Sequence, residues 1–580
     1  MTQTQSAAWT RAASLAEVTK LGVHTATVDG HVLALFVHEG DVYAVDNRCP
    51  HMGFPLDRGS VHDGILTCHW HHARFDLCTG GAFDLWADDI PAYPVSVRDG
   101  DVYVDLRPRQ DALDRQRQRL DDGLERNLSL VIAKAVLTLV DDADDTVGPF
   151  LAGVAFGTRY RMQGWGQGLT ILTVMRNLLP SLHREDRARA LYHGLAAVAA
   201  DSAGHAPRFL VQPLPGDDVD IPALKRWFRQ FIEVRDNEGA ERCIVTAICA
   251  GATPAQMADM LFAAVTDHRY INVGHPLDFT NKAFEALDVI GWEHAAQVLT
   301  SLAPSYADAD RMEESNAWRH PIDLVDILHG CFAQIPAALA AGAASAATWT
   351  RDAAFVDVLL GDDPHAIGEA LLSALRSGAT PVALAQTVSY AAALRIARFH
   401  TSNEFGDWDT ALHTFTFANA VHAGLQRLAD LSLPEGEYPL LLRGVFDAAM
   451  SVYLDRFLNI PSARLPAPGQ NGQTAAQLPP LGDLLDQQQQ VNQAGNAVAD
   501  FLFHGGDVTA MRRTGASATA RRSRLPHHPI GGSRLPPART IGRHTRGDLR
   551  PHSGGATWPP TPPPSRAGAD VWDRAAVAPG

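Results

Sequence analysis

Two short segments near the start of the chain, Cys49-Pro50-His51 and Cys68-His69-Trp70-His71, each set a thiol beside an imidazole. Thiolates and imidazoles are the side chains that hold iron, zinc and copper, so the chemistry on offer is metal coordination. A zinc ion accepts the same set of two cysteines and two histidines, although C-x-H is not a usual finger spacing. A disulfide between Cys49 and Cys68 is the other use of such residues, and a reducing compartment disfavours it. The chain of 580 residues has six cysteines, too sparse for a disulfide-built secreted protein.

Elements able to position these pairs are legible around them. The residues between the two pairs suffice for a strand-turn-strand excursion, which lets two loop tips clamp one centre. Short alternating apolar runs at residues 31–37, 41–45 and 101–106 read as strands of an all-β module. Gly53, Gly59, Gly64, Gly80 and Gly81 fall where tight loops need a residue free to take positive φ.

The segment Cys68-His69-Trp70-His71-His72-Ala73-Arg74-Phe75-Asp76 resembles the second cluster loop of Rieske-type ferredoxins and of the ferredoxin-like domain of ring-hydroxylating oxygenases, where C-P-W-H-G-x-x-F-D/N is usual. His69 stands in place of the proline and His72 in place of the glycine. The resemblance runs over residues 8–108 and implies a [2Fe-2S] cluster, with Cys49 and Cys68 on one iron and His51 and His71 on the other. Respiratory Rieske proteins add a cysteine in each loop to form a bracing disulfide. Phe54 and Trp70 stand at the corresponding positions here, which implies the soluble ferredoxin and oxygenase group. Cys78, beside the second loop, is expected to be a small buried side chain.

Residues 109–127 are charged and read as a linker helix with a solvated face. From 128 to 504 the chain is rich in Ala and Leu at helical spacing, an all-helical domain large enough for its own core. Two helices in it begin alike, at Gly251-Ala252-Thr253-Pro254 and Gly378-Ala379-Thr380-Pro381, with threonine to cap and proline in the first turn. Each leads to a histidine, His268 or His400, and then to a second one in an H-x-x-x-F-x-N signature, at His275-Phe279-Asn281 and His413-Phe417-Asn419. An internal duplication follows, its halves facing each other as a pseudo-dimer. His268, His275, His400 and His413, with Asp278, Glu404, Asp407 and Asp409 nearby, are then candidate ligands of an additional non-haem iron. The alternative is that these histidines cap helices or satisfy core hydrogen bonds. Neither D-x-x-H-x-x-x-x-H nor paired E-x-x-H motifs occur, and His320, His329 and His422 have no assigned role.

A formal net charge of −16 argues against nucleic acid as a partner. No leader-like apolar core occupies the first twenty residues and no run of about eighteen apolar residues is evident, so a cytoplasmic protein without membrane contact is expected. Residues 157–168 are glycine-rich but lack G-x-G-x-x-G, and Cys243, Cys249 and Cys331 are spaced for packing rather than redox pairing. Residues 505–580 turn abruptly rich in Pro, Arg, Gly and Ser and are expected to be disordered, a change that a shifted reading frame in a GC-rich gene also produces.

The fold class expected is therefore multidomain: an N-terminal all-β Rieske module, a large all-α domain and a disordered tail. The function expected is a Rieske oxidoreductase, taking single electrons from a reductase and passing them to an oxygenase-like helical domain that acts on a small molecule. The alternative is an electron-carrier ferredoxin whose helical domain is a docking or oligomerisation platform.

Overall fold

The run Leu33-Ala34-Leu35-Phe36 is buried at every residue, because its alternate side chains enter two different cores. In the computed structural model, which describes residues 9–107, 112–216, 220–344, 349–400, 402–434, 436–466, 481–487 and 490–521, this run is the centre of strand β3 (His31–His38). With β2 (Val23–Val28), β4 (Asp41–Asp46) and β8 (Ala92–Tyr93) it forms a four-stranded sheet in the order β2-β3-β4-β8. A second sheet joins β1 (Trp9–Ser14), β10 (Asp101–Asp105) and β9 (Val95–Arg98), and a third joins β5 (Ser60–His62), β6 (Ile65–Thr67) and β7 (Arg74–Asp76). Leu33 and Leu35 pack with Val18 of helix α1 (Leu15–Leu21), Tyr93, Val102 and Val104. Ala34 and Phe36 pack with Leu56, Leu66, Phe75 and Leu77, and with the two cysteines Cys49 and Cys68.

The chain divides into two compact units, Met1–Asp145 and Thr146–Gly580. The first therefore extends past the β-module. Helices α2 (Ala112–Glu125) and α3 (Ser129–Leu137) form a hairpin inside it, closed by Leu120 and Leu124 against each other's neighbourhood of Val131, Ile132, Ala135 and Val136, all buried. The charged stretch expected as a solvated linker thus has a buried face, with Arg119 itself only 3% exposed. The division also falls after Asp145 instead of at 127.

The second unit is helical. Its first part holds α4 (Gly148–Arg159), α5 (Gln167–Leu178), α6 (Arg184–Ser202), α7 (Ile221–Glu233), α8 (Asn237–Cys249), α9 (Pro254–Val265) and α10 (His275–Ile290). After the short α11 (Ala295–Thr300), α12 (Ala303–Ala307) and α13 (Asn316–Arg319) come α14 (Leu324–Ala343), α15 (Ala353–Leu359), α16 (Pro364–Arg376), α17 (Pro381–Ala397), α18 (Phe405–Arg427) and α19 (Leu442–Leu454). Caps recur: the side chains of Asp236 and Asp363 cap α8 and α16, and those of Thr253 and Thr380 cap α9 and α17. The two helices bearing the H-x-x-x-F-x-N signature, α10 and α18, lie side by side. His275 meets His413 with ring centroids 4.5 Å apart, and near the other end Asp288 meets Arg427 at 2.6 Å. Contacts at both ends at matching intervals require the helices to run parallel and in register.

One helix among the described residues, α14, is long and apolar enough to cross a bilayer by length and composition, with 20 residues and a mean hydropathy of 1.5. Its buried residues Leu324, Val325, Leu328, Cys331, Ile335, Ala338 and Gly342 recur at helical spacing, and it packs along α16.

Residues 508–521, within the stretch expected to be disordered from 505, are helical. Helix α22 (Val508–Arg521) follows α20 (Leu481–Asp486) and α21 (Val491–Phe503), and Met511 joins Leu481, Ala494, Val498, Phe501 and Leu502 in a small core. Met511, Ala516 and Ala520 are buried, small enough to lie against α6 and easily overlooked among arginines and threonines. Residues 522–580 lie outside the described residues.

Gly274, at the start of α10, has φ +89°, and a Cβ there would come within 2.9 Å of the Phe417 Cβ on α18. Gly274→Ala is therefore expected to destabilise the helical unit by about 3 kcal/mol, summing left-handed strain and a clash on packed side chains. Denaturant unfolding followed by helical circular dichroism checks it.

Candidate functional site

Two loops of the first unit have the same turn. In the loop between β4 and β5, the Cys49 N–H donates to the Phe54 carbonyl at 2.9 Å and the Gly53 N–H donates to the Cys49 carbonyl at 2.7 Å. In the loop between β6 and β7, the Cys68 N–H donates to the Ala73 carbonyl at 2.9 Å and the His72 N–H donates to the Cys68 carbonyl at 3.0 Å. Each turn needs a left-handed residue four positions after its cysteine. Gly53 supplies it at φ +80°, and His72 supplies it at φ +62° where the family pattern has glycine. The departure leaves the turn unchanged, at a cost of about 1–3 kcal/mol in backbone strain. The other departure is also accommodated: His69 Nε2 lies 3.0 Å from the Ser60 hydroxyl, linking the second loop to the start of β5.

The turns set the predicted ligands in two adjacent pairs, cysteine beside cysteine and histidine beside histidine. Cys49 and Cys68 are 2% and 1% exposed, sunk into the apolar core. Burial pushes the Cys49 thiol up from its ordinary value, and the adjacent Cys68 sulfur adds to the shift. Two buried neighbouring thiolates call for cationic partners, which iron supplies. The His51 and His71 rings stand edge to face with centroids 4.7 Å apart, and the buried Nδ1 of His51 has no hydrogen-bond partner. An orphaned imidazole nitrogen in a dry setting fits a metal ligand.

Each iron of a [2Fe-2S] centre takes two donors from the protein and the rest from sulfide, which suits one pair of adjacent cysteines and one pair of adjacent histidines. Phe54 and Trp70, at the positions of the absent disulfide, face each other with ring centroids 5.9 Å apart. Trp70 also packs on His71 at 4.8 Å. Cys78 is exposed, correcting its expected burial: the turn after β7, held by Asp76, aims it outward. One neighbour of the site had no sequence signal, Trp86, whose indole meets the His51 ring at 4.9 Å from a loop 35 residues on.

In the helical unit the four predicted histidines part company. His275 and His413 meet, as described. The His275 Nδ1 lies 3.0 Å from the Asn272 carbonyl, and the His413 Nδ1 lies 3.9 Å from Asp409. His268 has both ring nitrogens against carboxylates, Glu313 at 2.7 Å and Glu233 at 3.2 Å. The His400 Nδ1 is 2.8 Å from the Ser402 hydroxyl, at the surface. Glu404 and Asp407 form the capping box of α18.

Along α10, on the side that includes His275, runs a buried set of charged and amide groups. Asp278 and Lys282 are buried, and the Lys282 Nζ is 3.1 Å from Glu285. Glu285 also accepts from Asn281 at 2.9 Å and from Asn177 of α5 at 2.6 Å. Oxygens Oδ1 of Asp278 and Asn281 and the Nδ2 of Asn419, the counterpart of Asn281 on α18, lack hydrogen-bond partners. The i, i+3 spacing of Lys282 and Glu285 was visible in the sequence, though nothing there marked it as buried.

Burial raises the Asp278 carboxyl from its ordinary 3.8 to about 6, with Lys282 opposing. The folded chain thus keeps a proton that the unfolded chain sheds, and the stabilisation is complete below pH about 4 and lost as pH rises through about 6. The stability of the parent relative to Asp278→Asn is expected to fall by about 3 kcal/mol across that window. Urea unfolding at a series of pH values checks it.

Comparison with known proteins agrees with the first site. The sequence model of the Rieske [2Fe-2S] domain matches residues 8–94. The ferredoxin component of a naphthalene 1,2-dioxygenase system from Pseudomonas putida is 35% identical over 99 residues, which are 17% of this chain and 95% of that protein. The ferredoxin subunit of a 3-phenylpropionate/cinnamic acid dioxygenase from Photorhabdus laumondii is 39% identical over 80 residues, 13% of this chain and 76% of that protein. The solved ferredoxin of carbazole 1,9a-dioxygenase from Nocardioides aromaticivorans is 29% identical, covering 17% of this chain and 95% of that one with a TM-score of 0.16. With two matched loops, four donors in two adjacent pairs and these relatives, the chain belongs through its N-terminal unit to the Rieske [2Fe-2S] family, in company with ferredoxins.

Proposed function

We propose that this chain is a Rieske-type oxidoreductase whose N-terminal unit passes single electrons from a reductase to a site in its own helical unit, where a small molecule is transformed. The observation that supports the acceptor site is the polar array on α10 beside α18: Asp278, Lys282 and Glu285, all buried, with His275 and His413 half-buried and facing each other near them. Burying so many ionisable groups costs folding free energy that apolar side chains would not, and such clusters are typical of working sites. The names of the relatives, ferredoxin components of dioxygenase systems, favour a reductase as donor and oxygen chemistry at the acceptor.

When bound, the [2Fe-2S] cluster supplies reversible one-electron chemistry. Cys49 and Cys68 would hold one of its irons, and His51 and His71 the other. His71 is the exposed imidazole of the pair and offers the shorter way to an outside donor. In the helical unit, His275 is oriented by the Asn272 carbonyl and His413 lies 3.9 Å from Asp409, an arrangement suited either to proton transfer or to ligating a non-haem iron. The sparse cysteines, six in 580 residues, favour a cytoplasmic setting.

A second reading, a carrier with a non-catalytic helical platform, is favoured by one fact: no three ligating side chains among the described residues share a point. Iron analysis with electron paramagnetic resonance on the full chain, purified without oxygen, separates the two. More than two irons per chain, with the excess lost in His275→Ala and His413→Ala, is the result expected of an iron-dependent acceptor site. Two irons in all three proteins, together with unchanged turnover of reductant by oxygen, would leave the carrier. In the same series His71→Ala is expected to abolish the Rieske resonance, and a surviving signal would remove His71 from the ligands.

A further inference from the structure

Trp86 sits on the loop between β7 and β8, and carbonyls and carboxylates of residues 85–89 in that loop are held by the α2–α3 hairpin. The Arg119 guanidinium donates to the Ala87 carbonyl at 3.0 Å, to the Leu85 carbonyl at 3.2 Å and to Asp88 at 3.0 Å. The Lys134 ammonium donates to Asp88 at 2.9 Å and to the Trp86 carbonyl at 3.4 Å. Arg115 pairs with Asp89, whose Oδ1 also accepts from the Ala82 N–H at 2.7 Å. Three cations from two helices therefore grip the residues on both sides of one indole. The grip is unusual in its burial, since a guanidinium out of water must be matched by acceptors of fixed geometry.

That indole lies against one cluster ligand and not the other. His51 is half-buried beneath Trp86, whereas His71 is open to solvent. The family match ends at residue 94, and the hairpin lies beyond it, within the same compact unit.

We propose that Arg119, with Lys134 and Arg115, positions Trp86 over His51, so that the α2–α3 hairpin excludes water from one side of the cluster and thereby holds its reduction potential down. The physical basis is electrostatic. Reduction adds a negative charge to the centre, water stabilises that charge, and an apolar cover that keeps water out opposes it. Arg119 is a positioning residue: it touches neither the ligands nor the cluster and acts through the backbone of residues 85–88.

The test uses the full chain with its cluster, labelled with 5-fluorotryptophan. Trp86→Ala identifies the Trp86 fluorine resonance by its loss. In Arg119→Ala that resonance is expected to move toward the position of a solvent-exposed indole, the midpoint potential to rise, and cluster loss to a chelator to become about tenfold faster. Arg119→Lys, which keeps the charge near Asp88 but loses the paired carbonyl contacts, is expected to fall between. The double variant Arg119→Ala/Trp86→Ala is expected to match Trp86→Ala alone in potential, because both act through the same cover. If Arg119→Ala does not accumulate as folded protein, Lys134→Ala, at a more exposed site, takes its place in the cycle. An unmoved resonance and potential in the hairpin variant, or shifts that simply add in the double variant, would overturn the proposal.

Discussion

Two sulfur atoms buried beside each other in a core of Leu, Phe and Ala are the constraint on which the N-terminal unit turns. As thiolates they repel in a medium that does not screen them. The surroundings make sense once a cationic centre is placed between them: the repeated turn that presents each cysteine from its own loop, the orphaned nitrogen on His51, and the aromatic rings of Phe54, Trp70 and Trp86 around the histidines. Strands β5 to β7 are short because their task is to bring two loop tips together.

The helical unit poses the opposite problem. Its core encloses several charged groups held by one another, with Arg269 paired to Asp447 and Arg395 bonded to Asn459. The array on α10 is one more such group, with Lys282, Glu285 and Asn281 bonded along a single helix. Parallel alignment of α10 and α18 also sets His275 opposite His413.

How far the sequence disclosed all this depended on the range of each contact. The ligand spacings and the strands around them are local, and could be read directly from Cys49 to Asp76. The threonine caps of α9 and α17 are local too. His275 and His413 could be paired because a signature recurs, but His268 and His400, matched by position alone, met different fates: Glu233 and Glu313 reach His268 from other elements, and His400 has a serine two residues away. Charge misled where burial was decided by distant partners. Arg119 belonged to a stretch that looked solvated, and beside Asp88 its acceptors are carbonyls, which carry no sequence signal. Helix α22 was hidden for a similar reason, its apolar side being made of alanines and one methionine.

The double allegiance of β3 has a consequence for how such a protein can change. Because neighbouring residues of that strand serve opposite cores, an insertion of one residue within it would exchange the two sets and ruin both at once. Length can be gained only where the chain leaves the sheets. The exit after β10 is such a point, and the α2–α3 hairpin that follows it in the same unit holds the β7–β8 loop without disturbing a strand.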